Sequence, residues 1–383
     1  MICYIDLTEF LLRPHRTGIQ RVTGEVCTHW PADVELIPVR AGEDGRFVKL
    51  PERALAFVRE FFATPRSEVS AAVHRIQSMT SAARHSALHL DELSVLFCPE
   101  VFWDDFRVRA YESMLSRFAE RCAFLVYDLL PLTHPEHFVP DAPHGEMGRY
   151  YRLIKAAPNV GFISNYTRAV YCSRLLRSNS LKGQVFRLGS DGLGARPESG
   201  AHCAPNFRFS VVGTIEPRKR HDVVLDAFDE LLKERTDVEL TFAGRMGWVD
   251  GRFSRRLREF EANHSNFTLC LDPEDATIAE TVRASRATIF MSAVEGFGLP
   301  PVESLWLGTP VIASYGIPSL EAVGETGVVL LDPTDQARQL RSTAMLFLDN
   351  MFYENKRKEA AGLILPDWKS FASDIAVWLH SLI

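Results

Sequence analysis

The chain has 383 residues and no run of about 18 consecutive apolar ones, so no transmembrane helix is expected. Its opening stretch, MICYIDLTEF, has no basic segment, and Asp6 and Glu9 interrupt the apolar run; a signal peptide is not expected. Cysteine is sparse. The seven (Cys3, Cys27, Cys98, Cys122, Cys172, Cys203, Cys270) are odd in number, widely spaced and never arranged C-x-x-C. Reduced, mostly buried thiols in a cytoplasmic protein are the expectation, not a disulfide framework. There is no Walker loop, no nucleophile elbow and no G-x-G-x-x-G after a strand, which argues against a P-loop ATPase, a serine hydrolase and a dinucleotide dehydrogenase. Positive charge is not in excess: 43 Lys and Arg face 49 Asp and Glu, a net charge of −6. General nucleic-acid binding, which depends on phosphate neutralisation, is therefore excluded as a partner class. A local basic pocket for one phosphorylated ligand is not.

What is present is ordinary globular composition, 46% apolar and 24% charged, arranged as alternating strands and helices. ICYIDL, VELIPV, SVLFCP, FLVYDLL, VGFIS and QVFRLG read as strands in the first half. In the second half FRFSVVGTI, VELTFAG, NFTLCL, ATIFMS and PVIAS do so, separated by the helical VVLDAFDELLKER, IAETVRASR and PPVESLWLG. Such alternation predicts the α/β class with parallel sheets and crossover helices. The Gly/Ala/Pro/Ser-rich stretch 190–206 reads as a linker. The expected organisation is an N-terminal Rossmann-like domain over 1–195, a C-terminal one over 207–365, and a terminal helix within 366–383 that packs back on the first domain. Open parallel sheets bind ligands beyond their carboxyl ends, so two of them facing each other would make an interdomain cleft. Residues 51–92 form a strand-poor helical excursion, with Leu55, Val58, Phe61, Phe62, Val69, Val73, Ile76 and Met79 at helical spacing. It reads either as helices packed on the N-terminal sheet or as an acceptor-side or membrane-facing surface.

The strongest local pattern is ATIFMSAVEGFGLPPVESLWLGTPVIAS, residues 287–314. Glu295, Gly296 and Gly298 fall on the turn after a strand. Pro300 and Pro301 mark the start of a helix that holds Glu303, and Gly308 and Pro310 stop it. Glycines admit close backbone approach, a helix N-terminus favours a diphosphate, and a carboxylate accepts two hydrogen bonds from a sugar diol. The competing reading makes both glutamates solvated first-turn acids. The second pattern is SVVGTIEPRKRHDVVLDAF, residues 210–228. Arg218, Lys219 and Arg220 follow the strand that ends at Gly213, either to meet phosphate or as a solvated basic turn.

V-G-T-I-E-P-R-K followed by E-G-F-G-L-P-P-V-E resembles the nucleotide-sugar-binding half of family 4 glycosyltransferases, retaining enzymes of the GT-B fold. RTGIQRV, around Gly18, is similar to their glycine loop, and YDLLPLTHPEHF, residues 127–138, to their acceptor-side segment. The resemblance implies that Lys219, helped by Arg218, holds the donor diphosphate. Glu295 would contact the transferred sugar, Glu303 the nucleotide ribose, and the backbone of Gly296, Phe297, Gly298 and Leu299 the phosphates and sugar. Gly18 would sit at the donor diphosphate. Many relatives have Arg where this chain has Thr214, which throws the basic role onto Lys219. Many have His-Asp where it has Tyr127-Asp128, which leaves Asp128 as the residue for the sugar. The E-P-R-K turn resembles that of bacterial surface-polysaccharide mannosyl- and rhamnosyltransferases, so the resemblance implies transfer of a hexose or deoxyhexose, with GDP-mannose the leading donor. The implied acceptor is a saccharide or lipid-linked saccharide, reached in the cytoplasm or at the inner face of the cytoplasmic membrane by peripheral association. No cofactor and no metal are expected. His85 with His89, and His134 with His137, are weak ligand pairs. A GT-B sugar-nucleotide epimerase and a non-catalytic nucleotide-sugar-binding subunit are the alternative readings.

Overall fold

The computed structural model describes residues 1–82, 88–138, 147–197 and 206–383. Two compact units divide the chain. One comprises residues 1–189 with 366–383, the other residues 190–365.

The strands of the first unit are β1 (Ile2–Asp6), β2 (Glu35–Ala41), β3 (Phe47–Lys49), β4 (Ser94–Cys98), β5 (Cys122–Val126), β6 (Asn159–Phe162) and β7 (Gln184–Val185). They form one sheet in the order β3-β2-β1-β4-β5-β6-β7. Every neighbouring pair is parallel except β2 and β3. All five residues of β4 and of β5 are buried, as expected for central parallel strands covered by helices on both faces. The strand β3 escapes the sequence reading because it is a three-residue edge. It returns through a tight turn in which Gly45, at φ +72°, follows Asp44.

The second unit contains β8 (Phe207–Val212), β9 (Val238–Gly244), β10 (Phe267–Leu271), β11 (Ala287–Phe290), β12 (Val311–Ser314) and β13 (Val328–Leu331). Its all-parallel sheet runs β10-β9-β8-β11-β12-β13. In sequence order this is 3-2-1-4-5-6, the doubly wound arrangement. The strand order reverses between β8 and β11, where such sheets bind ligands at their carboxyl ends.

Residues 190–197, read as linker from composition, belong to the second unit. Leu193 is buried with Val212, Val282 and Leu307, and Trp306 donates its indole N–H to the Gly194 carbonyl at 2.9 Å. The terminal helix Trp368–His380 packs within the first unit. Trp378 meets Phe186 at 5.1 Å between ring centres, and Gly189 lies so close to Trp368 that a Cβ there would stand 2.4 Å from its backbone nitrogen. The helical excursion contains helices Arg53–Glu60 and Arg66–Ala82; within it Leu55, Val58, Phe61 and Ile76 are buried, while Phe62, Val69 and Val73 are half-buried. Phe10, from the helix Thr8–Leu12, packs edge-on against Phe57 and Phe61, so this excursion meets other helices as much as a sheet. The Met79 side chain lies outside the description. Among the described residues no helix is long and apolar enough to cross a membrane.

Candidate active site

The second unit brings two separated segments together at its switch point. After β8 the chain passes Gly213 and makes a 3-10 turn, Pro217–Lys219. Arg220 takes a left-handed conformation (φ 52°), and the helix His221–Glu234 then begins. The close packing of two strand ends sets this turn. The Gly213 N–H bonds the Ala243 carbonyl at 3.0 Å, and the Ile215 N–H bonds the Arg245 carbonyl at 2.9 Å. After β11 the chain runs through Met291–Gly298 into the helix Leu299–Trp306. The Ala293 N–H donates to the Arg218 carbonyl at 2.8 Å, clamping one turn to the other.

The side chains complete the junction. Lys219 Nζ lies 3.2 Å from Glu295 Oε1, and Arg218 Nη1 lies 2.5 Å from Glu295 Oε2. The Ser292 hydroxyl donates to Glu295 Oε1 at 2.8 Å. The Arg218 guanidinium also reaches Glu216 Oε1 at 2.5 Å and the Val294 carbonyl at 2.8 Å. Its fork is thus engaged by the protein itself, so Arg218 braces Glu295 and Glu216. Lys219, a point charge 4.7 Å above the Phe290 ring, faces the junction with Glu295 as its ion-pair partner. Burial pushes the Glu295 carboxyl up, but Lys219, Arg218 and Ser292 outweigh it, and its pKa lies below the ordinary glutamate value. Glu295 is therefore an anion at neutral pH. Arg220, by contrast, points its guanidinium to Gln336 Oε1 at 2.5 Å and takes no part.

Gly298 stands beside the Phe290 ring over which the Lys219 ammonium sits. Gly298 caps the helix in a left-handed conformation (φ 92°), and a Cβ there would stand 2.9 Å from Ile317 Cγ2. Pro300 and Pro301 have no N–H, so the unpaired donors of this helix start are confined to Gly298 and Leu299. The Phe297 carbonyl is occupied by the Ser319 N–H at 2.9 Å, which fixes the turn. Glu303 is the fifth residue of the helix and is buried, not a solvated first-turn acid. The helix ends in a paired cap at Gly308 (φ 78°): the Gly308 N–H bonds Leu305 O and the Thr309 N–H bonds Ser304 O, both at 3.0 Å.

Buried His221 stands at the start of the neighbouring helix, its ring edge-on to Phe242. Burial, with Lys219 nearby, pushes its pKa from 6.5 down to about 3. The folded chain thus holds His221 neutral, while the unfolded chain protonates it near pH 6.5. Its contribution to stability is full above that pH and declines as pH falls towards 3. The melting temperature of the wild type is expected to drop between pH 7 and pH 4.5 more steeply than that of His221→Phe. Parallel curves would contradict the assignment.

In the first unit, Gly18 opens the helix Gly18–His29, capped by the Thr17 hydroxyl, which accepts the Gln20 N–H at 3.3 Å. No atom lies within 4 Å of where a Gly18 Cβ would stand. Asp128 directly follows Tyr127 at the end of β5, and its Oδ1 accepts the Leu130 N–H at 3.0 Å. Tyr127 is buried and donates to the Pro99 carbonyl at 2.7 Å, so its hydroxyl is committed to the fold. The first unit's own switch point, between β1 and β4, is filled by a charge network that sequence reasoning missed. Glu100 accepts the Glu9 and Phe10 N–H groups at 2.6 and 2.7 Å, and the fully buried Arg107 bonds Asp104 and Glu9. Protein carboxylates there occupy the kind of helix start that the second unit leaves open. His134 and His137 stack at 6.2 Å between ring centres; His85 lies outside the described residues, among which no group of three potential metal ligands occurs.

The doubly wound units and the cation–carboxylate pair at a glycine-rich helix start define the class. The chain superposes over its full length on Anabaena HepE in complex with UDP and glucose (TM-score 0.63, 13% identity, 100% of both chains). It also superposes on sucrose-phosphate synthase from Thermosynechococcus elongatus (TM-score 0.65, 14% identity, 100% of this chain and 99% of that one). This is the GT-B glycosyltransferase fold. Residues 202–362 match the family described as "Glycosyl transferases group 1", and the C-terminal half carries a domain of that family. Sequence relatives include a serotype-specific mannosyltransferase, WbdA, from Escherichia coli, 31% identical over 231 residues. The match covers 54% of this chain but 27% of WbdA. The O-antigen chain mannosyltransferase B of Escherichia coli is 26% identical over 235 residues, covering 56% of this chain and 58% of that protein.

Proposed function

We propose that the chain is a retaining glycosyltransferase of family 4 that moves mannose from GDP-mannose to a saccharide or lipid-linked saccharide acceptor in surface-polysaccharide synthesis. The observation that carries the reading is the meeting of Lys219 with Glu295 beside the open donors of Gly298 and Leu299. The mannosyltransferase relatives favour the sugar, and GDP follows from it.

In this reading Lys219 and the helix start receive the donor diphosphate. Glu295, held in place by Arg218 and Ser292, accepts hydrogen bonds from the hydroxyls of the transferred sugar, and Glu303 from the ribose. The bond between the anomeric carbon and the phosphate oxygen breaks, and its electron pair goes to the nucleoside diphosphate. The acceptor hydroxyl bonds the same face of that carbon and passes its proton to a leaving phosphate oxygen. The Lys219 charge and the backbone donors stabilise the negative charge that develops, the main electrostatic demand of the step. Glu295 is no covalent nucleophile here: its two oxygens are held by cations and a hydroxyl. By the same resemblance, Gly18 contributes to diphosphate binding and Asp128 to the sugar. No metal or other cofactor takes part. The reaction occurs in the cytoplasm, with the protein at the membrane surface when the acceptor is lipid-linked.

The two glutamates divide the labour, and this is the experiment that tests the reading. Glu303→Ala is expected to weaken GDP binding by about tenfold or more, the loss of charge-assisted hydrogen bonds of ~1.5–3 kcal/mol. Glu295→Ala is expected to lower turnover while leaving GDP affinity within a few-fold. Calorimetric titration with GDP, alongside initial rates, separates the two; an equal loss of GDP binding in both variants contradicts the division.

A further inference from the structure

Beside the donor turn, the second unit holds a cavity of about 380 Å³ that none of Lys219, Glu295 and Glu303 lines. This volume falls within the range of small-molecule sites. One wall is apolar: Pro217, Val249 and Phe253. The polar lining includes Asp222, Arg252 and His221, and the helices His221–Glu234 and Gly251–Asn263 both begin at its rim.

The lining groups differ in how far they are already spent. Glu216 is taken by Arg218, Arg256 by Asp226, and Asp250 Oδ1 accepts the Phe253 N–H at 2.7 Å. Asp222 and Arg252 have no hydrogen-bond or ion-pair partner among the described residues. His221 is 2% exposed, and its Nδ1 makes no hydrogen bond of proper geometry, although the Glu216 carbonyl faces the ring. A buried polar atom left in this state is costly unless something supplies a partner. The ring is neutral, so one nitrogen donates and the other accepts.

Charge narrows the ligand class. Three acids (Glu216, Asp222, Asp250) and two arginines (Arg252, Arg256) line the space, a balance that does not attract a phosphate. The unspent groups are one acceptor, one donor and one imidazole that does both, set around a phenyl face. A sugar ring presents the complement: hydroxyls that donate and accept, and an apolar C–H face.

We propose that this cavity is a second glycan-binding site, taking one pyranose unit of a neutral saccharide chain, with its C–H face on Phe253 and its hydroxyls on Asp222, Arg252 and His221. The Glu216–Pro217 segment is shared by the cavity wall and the turn that carries Lys219, so a chain held here lies against the donor machinery. The choice of a mannose-containing probe rests on the proposed function; the cavity does not.

Saturation-transfer NMR on the full chain, with linear α-linked mannotriose and saturating GDP, tests the proposal. Transfer to mannotriose is expected in the wild type with GDP bound. It is expected to fall at least fivefold in Asp222→Ala and in Arg252→Ala, which alter exposed side chains, and in Phe253→Leu, which removes the ring but keeps an apolar side chain. Absence of transfer in the wild type, or transfer that all three variants leave unchanged, overturns it. In the wild-type sample the GDP signal reports on the donor site: its absence counts against the proposed function, whereas absence of the mannotriose signal with GDP bound counts against the second site alone.

Discussion

Lys219→Ala is expected to lower kcat/KM for sugar transfer about a hundredfold, with kcat carrying most of the loss. The Lys219 side chain is only 12% exposed, 3.2 Å from Glu295 Oε1 and above the Phe290 ring. A charge held in such surroundings is already oriented when the leaving diphosphate gains negative charge. Removing one donor aimed at developing charge typically costs a factor of about 10²–10³. The fold should tolerate the change, because Glu295 keeps the Arg218 guanidinium and the Ser292 hydroxyl. A buried carboxylate stripped of every partner would be far more costly. Initial-rate kinetics beside a melting curve check this. Wild-type kinetics in a folded variant would take Lys219 out of the site.

Gly244→Ala is expected to lose about 2–3 kcal/mol of stability and nearly all donor binding. A Cβ on Gly244 would stand 1.9 Å from the Gly213 carbonyl oxygen and 2.6 Å from its carbon. These are backbone atoms at the ends of two paired parallel strands, so no rotamer change relieves the overlap. The strand ends must separate, and the turn that carries Lys219 starts at one of them. For a unit of this size the loss corresponds to roughly 5–10 °C in Tm. Gly251→Ala is the control, since no atom lies within 4 Å of its Cβ position. Equal melting temperatures and equal GDP affinity in the two variants would show that the strand ends yield without cost.

The junction was legible because its parts are local. A strand that ends in glycine, a basic turn, and E-G-F-G-L-P-P before a helix are each punctuated within a few residues of sequence. The parallel strands were legible as short, continuous apolar runs. The β13 run, VVLL, is apolar but only four residues long, with no helical pattern directly before it in the sequence to mark it as the next strand of the sheet. What could not be read was the wiring. Arg218 looked like a second phosphate ligand, yet its guanidinium closes on Glu216 and on Glu295, 77 residues further along the chain. Glu303, a solvated first-turn acid in the competing reading, is the fifth residue of its helix and buried. The Glu100–Arg107–Glu9–Asp104 network is only partly local: Glu100, Asp104 and Arg107 follow β4, Glu9 follows β1, and the β1–β4 pairing brings the two segments together. Tyr127 reads as a substitution in a sugar-contacting pair, whereas its phenol serves the fold through the Pro99 carbonyl. Spacing predicts where a side chain starts, and tertiary packing decides what it meets.

The most direct measurement follows GDP-mannose by NMR, in buffer containing EDTA, with a mannose-terminated acceptor present or absent. The account predicts that GDP and an α-mannoside appear one for one, with the donor's anomeric configuration kept, only when acceptor is present. It further predicts that both appear about a hundredfold more slowly in Lys219→Ala. Conversion of the sugar nucleotide without acceptor, or tight GDP binding with the donor left intact across mannose-terminated acceptors, would contradict it.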